Sequence, residues 1–153
     1  MATDRYSLLA GRNQAPLSVE EVRRAINTFL GLDSSVNARY DATAHTVFRV
    51  DHDGSGAEYG EVVFGPDIYQ GAGVLDPNSA LSLDAAAAHE LTHYHRWRNK
   101  AALTDETLEH IDEALTSLET ILRYGHHLNE SDRLGLVSDA IQRLQLHLQD
   151  LAK

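Results

Sequence analysis

The stretch that decides the reading is Ser82-Leu-Asp-Ala-Ala-Ala-Ala-His-Glu-Leu-Thr-His-Tyr-His-Arg-Trp-Arg98. Its four consecutive alanines are the strongest helix formers. Ser82 or Asp84 can cap the start, and Arg96, Arg98 and Lys100 stand where cations suit the negative end of a helix dipole. A helix is therefore expected over 83–98. On such a helix His89 and His93, at i and i+4, stand one above the other on one face, so both imidazoles can reach one metal. Glu90 lies about 100° further round. That direction keeps it out of the coordination but within reach of a water beside the metal. Two neutral imidazoles with one oxygen ligand form a typical zinc set, and zinc tolerates the open fourth position that catalysis needs.

Downstream of this segment the chain stays helical. A helix over 105–124 is expected, with Thr104 as cap, Leu103 and Leu108 as staple and Gly125 as stop. Its apolar stripe is Leu108, Ile111, Leu115, Leu118 and Leu122. A last helix over 131–151 carries Leu134, Val137, Ile141, Leu144, Leu148 and Leu151, alternating by three and four. Packing of this stripe into the core is the simplest explanation of it, and a dimer seam is the alternative.

Upstream, Ser18-Val-Glu-Glu21 is a capping box with Leu17 and Val22 at the staple positions. The helix it opens is expected over 19–30, stopped by Gly31, and residues 1–17 are expected to form a loose lead-in. The period then shortens toward two. Thr46-Val-Phe-Arg-Val50 and Tyr59-Gly-Glu-Val-Val-Phe64 read as strands, and residues 36–41 can add a third. Between the two strands, Asp51-His-Asp-Gly-Ser-Gly-Ala57 opens like a calcium loop. Its twelfth position is Val62, however, and the flanks are strands, so a hairpin turn is expected. Residues 65–81 read as an ordered loop. The fold class is α+β in one domain: a backing helix, a small mixed or antiparallel sheet, the motif helix, a second functional helix and a C-terminal helix.

Composition bounds what such a domain can do. The chain has 153 residues, 42% hydrophobic, and no cysteine, which excludes disulfides and thiolate ligands. No segment approaches the roughly 20 apolar residues of a membrane span. The N-terminal stretch lacks the apolar core of a secretory signal, so the expected compartment is the cytoplasm. With 13 basic against 23 acidic residues the net charge is −10, which disfavours nucleic acid and anionic membranes as partners.

A third ligand is available in Asp112-Glu-Ala-Leu-Thr-Ser117. Glu113 lies 20 positions after His93. Glu106, Glu109, His110 and Glu119 are the other candidates on this helix, and a solvated acidic face accounts for Glu106 and Glu109. His-Glu-Leu-Thr-His, followed at this distance by Glu-Ala-Leu-Thr, resembles the active core of the thermolysin-type gluzincins. The resemblance spans residues 82–118, about a quarter of the chain. It implies one zinc held by His89, His93 and Glu113, with Glu90 as general base. It also implies peptide hydrolysis, with a protein or peptide substrate, in a minimal zincin-like form. Two departures stand out. Ser117 occupies the place where the family has an Asp that orients the first His, so that support is weakened or comes from elsewhere. The family's large helical C-terminal domain is missing too. A weaker resemblance is to the repressor-cleaving metallopeptidases of mobile elements, whose ligand spacing is longer.

Peptide hydrolysis also requires a donor for the developing oxyanion. Tyr124, His126 and His127 follow the glutamate helix in a turn and are the candidates, with Tyr94 and His95 behind them. The 59–64 strand could offer an edge to an extended substrate. The competing reading is a catalytically silent, zinc-stabilised interaction module. Retention of Glu90 argues against it, because a purely structural zinc has no use for a base.

Overall fold

The computed structural model describes residues 11–71 and 81–153. It is α+β, with four α-helices and a three-stranded mixed sheet among the described residues. The chain runs α1 (Val19–Leu32), β1 (Ala38–Tyr40), β2 (Val47–His52), β3 (Glu58–Phe64), α2 (Leu83–Arg98), α3 (Glu109–Tyr124) and α4 (Glu130–Leu151). Short 3-10 turns at Pro66–Ile68, Glu106–Leu108 and Gly125–His127 join them. Among the described residues no helix is long and apolar enough to cross a membrane.

The capping box of α1 forms as its residues require. Glu21 N–H donates to Ser18 Oγ at 3.1 Å, and Ser18 N–H donates to the Glu21 carboxylate at 2.9 Å. Gly31 does not stop this helix. It stays helical, and the chain leaves through Asp33 in extended conformation. The lead-in expected over 1–17 lies outside the described residues as far as residue 10. From residue 11 it is anchored rather than loose. The buried Arg12 guanidinium donates to the carbonyls of Asp67, Ile68 and Leu81 at 2.6–2.9 Å, and Arg12 pairs with Gln70 in an isolated β-bridge. One long cation satisfies three buried acceptors there, which hydropathy patterning does not reveal.

In the sheet, β3 lies between β1, parallel to it, and β2, antiparallel. The expected hairpin connects β2 to β3. Asp53 accepts from Ser55 N–H, Ser55 Oγ–H and Ala57 N–H, while Gly56 takes φ 86°. Over 62–64 the strand lies beside β1, and over 58–63 it pairs with β2, so it is the central strand of the sheet and not an edge strand; on the β1 side, of 59–64 only 59–61 are left without a strand partner among the described residues. Glu61, buried on β3, ties the strands together by accepting from Arg39 of β1 and Arg49 of β2. Of the loop expected over 65–81, residues 65–71 contain the first 3-10 turn, and 72–80 lie outside the described residues.

Helix α2 runs through the middle of this arrangement and touches α1, β2, β3, α3 and α4. Its alanines explain how. Ala85, Ala87 and Ala88 are fully buried, and such small side chains let the neighbouring elements approach closely. Phe29 of α1 stacks on Phe64 of β3 with ring centroids 5.5 Å apart, closing the core on the far side. Ser82 caps α2 through Ala85 N–H. At its C-terminus Lys100 takes φ 57°, with Ala101 N–H bonded to Arg96 O and Lys100 N–H to Trp97 O. This is a Schellman stop with lysine in the usual glycine place.

The expected cap of α3 is corrected. Asp105, not Thr104, caps the lead turn, by accepting from Thr107 N–H at 2.9 Å. The α-helix ends at Tyr124 with Gly125 as its C-cap, as expected, and Gly125 keeps a right-handed φ of −55° and opens a 3-10 turn. The larger correction concerns the apolar stripes. Leu115, Leu118 and Leu122 of α3, and the whole 134–151 stripe of α4, are exposed rather than packed in the core. The inner faces carry Thr116, Ser117 and Thr120 on α3, and Asp132 and Asp139 on α4, all buried. These polar groups face α2 and its histidines, so the leucines are turned outward.

Candidate metal centre

Helix α2 presents His89 and His93 toward α3, which answers with Glu113. Glu113 Oε2 lies 2.9 Å from His89 Nε2 and 3.1 Å from His93 Nε2. One ligand atom from each of the three residues falls within 4.8 Å of the others, so this group could hold a metal ion. The two imidazole rings stand edge to face, 4.8 Å between centroids. Glu106, Glu109, His110 and Glu119 do not join the group. Glu106 and Glu109 are exposed, His110 pairs with Asp150 at 3.5 Å, and Glu119 is drawn to Arg96 and Arg123.

Consecutive hydroxyls on α3 fix how the imidazoles point. Ser117 Oγ–H donates to Asp139 Oδ2 at 2.7 Å, so its oxygen is left to accept from His89 Nδ1–H at 3.0 Å. Thr116 Oγ–H donates to Asp112 O at 2.7 Å, and its oxygen faces His93 Nδ1 at 3.5 Å. Both Nδ1 atoms are thereby engaged, and both Nε2 atoms are turned to Glu113. An outer partner on the far nitrogen of each ligating His is what a metal site demands. The carboxylate behind His89 thus comes from Asp139 of α4, through Ser117. No spacing rule connects residues 117 and 139, and only the packing of α3 on α4 brings them together.

The charges of the site depend on one another. Burial works to raise the Glu113 carboxyl, but the His93 charge, the hydrogen bonds from both imidazoles and Arg143 hold it well below the usual carboxylate range. Burial works to lower His93, yet the charge and hydrogen bond of Glu113, with Glu90 and Asp112, push it up to about 9. Burial raises the Glu90 carboxyl, against the pull of both histidines. A carboxylate made more basic beside two imidazoles is suited to take a proton. The group as a whole suits a divalent cation: two nitrogens, one anionic oxygen, outer partners already in position.

A buried clamp sets the spacing of α2 and α3. Arg96 donates to Asp112 at 2.9 Å and to Ala101 O at 3.0 Å. Arg96 follows His93 by three residues, and Asp112 immediately precedes Glu113. From α4, Arg143 reaches 4.0 Å from Glu113 and 3.7 Å from Asp139. Neither arginine was marked by the motif. For Arg96 the only sign was its place three residues beyond the second His, in a helix end rich in basic residues; for Arg143 the sequence offered none.

The oxyanion candidates are not brought to the site. At 1.5 Å rise per residue, Tyr124 lies about 16 Å along α3 from Glu113, and His126 and His127 lie further still. Tyr124 belongs to the hydrophobic core, with its ring beside His95, and burial together with the nearby Asp33 charge pushes its hydroxyl up to about 12. His95 is 2.8 Å from Asp33. Tyr94 packs on Phe48 and Trp97 and accepts from Arg98. No family model, curated protein or solved structure matches this chain.

Proposed function

We propose that the protein is a zinc-dependent peptidase whose metal is held by His89, His93 and Glu113. The carrying observation is the convergence of both Nε2 atoms on Glu113 Oε2, within 2.9 and 3.1 Å, with their Nδ1 atoms engaged by hydroxyls. Glu90, beside this group and raised by burial, supports a catalytic rather than a purely structural role. When bound, zinc supplies the Lewis acidity that polarises a carbonyl and makes water acidic enough to attack near neutral pH. Glu90 takes the proton from the attacking water and delivers it to the leaving amide nitrogen. Ser117 and Asp139 hold His89 in the tautomer whose Nε2 carries the lone pair. Arg96 and Asp112 keep the two ligand helices at fixed spacing.

A silent zinc-stabilised module is the second reading. One specific observation favours it: Tyr124, His126 and His127 lie too far along the chain to reach an oxyanion. The test is metal analysis of the purified chain combined with a peptide-library cleavage assay. One zinc per chain and chelator-sensitive cleavage support the peptidase reading. One zinc without cleavage of any peptide supports the module, and no bound divalent metal overturns both.

A further inference from the structure

The outward faces of α3 and α4 carry nine of the exposed aliphatic side chains of the described residues. From Leu134 to Leu151 the exposed residues of α4 are the aliphatic stripe plus Gln145 and Gln149, with no charged side chain among them. A solvent-facing helix normally carries its charges on that side. This chain carries 23 acidic residues and a net charge of −10, yet it places none there. Nearby acids are engaged elsewhere: Asp139 is buried against Ser117, Asp150 pairs with His110 and Lys153, and Asp112 and Glu119 of α3 turn to Arg96.

The stripe has an unbroken three-four spacing: Leu134, Val137, Ile141, Leu144, Leu148 and Leu151. These are the a and d positions of a coiled-coil seam, whose knobs need the holes of a second helix with the same spacing. Helix α3 adds Leu115, Leu118 and Leu122 at the same rhythm, the last 85% exposed. They lie opposite Ser117 and Thr120, which face α2, and so they point outward as the α4 stripe does. The positions flanking the α4 seam are Arg133, Ser138, Ala140, Gln145, His147 and Ala152, none of them an acid, and Arg133 is turned to the carbonyls of Gly125 and Leu128. Beside the α3 leucines, Glu119 is drawn to Arg96 and Arg123. Two copies can therefore meet on this face with little like-charge repulsion, although the chain as a whole is strongly acidic.

We propose that a second copy of this chain covers the face, the α3–α4 hairpins of two copies forming a four-helix seam about a two-fold axis. The size fits. At 37–85% exposure, the nine aliphatic residues offer on the order of 800 Å² per copy, the share each partner contributes to an ordinary stable interface. A self-complementary heptad seam also supplies its own partner, and a two-fold arrangement closes without leaving a second apolar face open. Ile141 lies mid-seam, so the axis brings it close to its own copy. The metal ligands face the opposite side of both helices, so this proposal does not depend on what the site does.

The test is the mass of the full chain in solution by light scattering and sedimentation at micromolar concentration. Wild type is expected at twice the 16.9 kDa chain mass. Ile141→Glu and, separately, Ile141→Lys each weaken the dimer by roughly 100-fold or more in Kd, while far-UV circular dichroism stays unchanged. An equimolar mixture of the two variants regains the dimer, because opposite charges then meet across the axis. Leu122→Glu repeats the test at a position so exposed that the monomer's fold does not depend on it. A wild-type monomer at all concentrations overturns the proposal, including one that instead associates with neutral lipid vesicles. So does a dimer that these substitutions leave unchanged, or a mixture that stays monomeric.

Discussion

Ser117 Oγ–H donates to Asp139 Oδ2 at 2.7 Å while its oxygen stands 3.0 Å from His89 Nδ1, so a carboxylate on α4 orients an imidazole on α2 through one hydroxyl on α3. Ser117 and Asp139 are both buried, so neither partner has water to replace the other. Ser117→Ala should weaken zinc binding by roughly 10–100-fold and destabilise the metal-free fold by about 1–3 kcal/mol, because two buried polar groups lose their partner. Competition titration with a chelating dye reads the first effect and thermal unfolding the second. Asp139→Asn, which keeps an acceptor but not the charge, should fall between wild type and Ser117→Ala. Wild-type zinc affinity in Ser117→Ala would remove the relay from the account.

The proposed third ligand, Glu113, can be separated from its neighbours. Glu113→Ala should abolish stoichiometric zinc binding, as should His93→Ala, since three protein ligands are what the site offers. Glu109→Ala, one turn earlier and exposed, should bind zinc as wild type does and change stability by no more than about 0.5 kcal/mol. Metal content by mass spectrometry checks both. Loss of zinc in the Glu109 variant but not in the Glu113 variant would move the ligand by one turn.

Arg96→Met tests the clamp between α2 and α3. It removes the partner of Asp112, which is largely buried, and should cost about 3 kcal/mol. Zinc stabilises only the fold that holds its ligands together, so added zinc should recover part of the lost melting temperature. An unchanged melting temperature without zinc would show that the clamp does not set the helix spacing.

Stability should also depend on Glu61. Burial works to raise its carboxyl, but hydrogen bonds and charge from Arg39 and Arg49 hold it below the ordinary value. A depressed carboxyl contributes stability above its unfolded pKa and loses it as pH falls through the folded one. The fold should therefore weaken as pH drops below about 4.5, and Glu61→Gln should flatten that part of the profile. Both arginines are half-exposed, so the effect at neutral pH should be about 1 kcal/mol or less. A variant whose acid unfolding curve overlays wild type would contradict this.

Local chemistry made much of this fold legible. Ser18 and Glu21 announced α1, the alanines after Ser82 announced α2, and the Asp51–Ala57 stretch announced the hairpin between β2 and β3. The i,i+4 histidines and Glu113 were legible for the same reason: helical periodicity fixes which side chains share a face. What periodicity leaves open is where that face points. The leucine stripes of α3 and α4 read as core, yet Thr116, Ser117 and Asp139 hold the inward side because the histidines need partners there. Likewise the 59–64 strand was recognisable, but its central place between β1 and β2 depends on pairing that no local pattern encodes. Tyr124 was a reasonable donor by residue type, and about 16 Å of helix removes it.

The most direct test of the peptidase account is cleavage by Glu90→Gln. The amide keeps the size and shape of the side chain but cannot take a proton at neutral pH. The variant should retain one zinc per chain and the wild-type melting temperature, while peptide cleavage falls by roughly 10²–10⁴-fold. A Glu90→Gln protein that cleaves peptides as fast as wild type would contradict the account, whatever metal it holds.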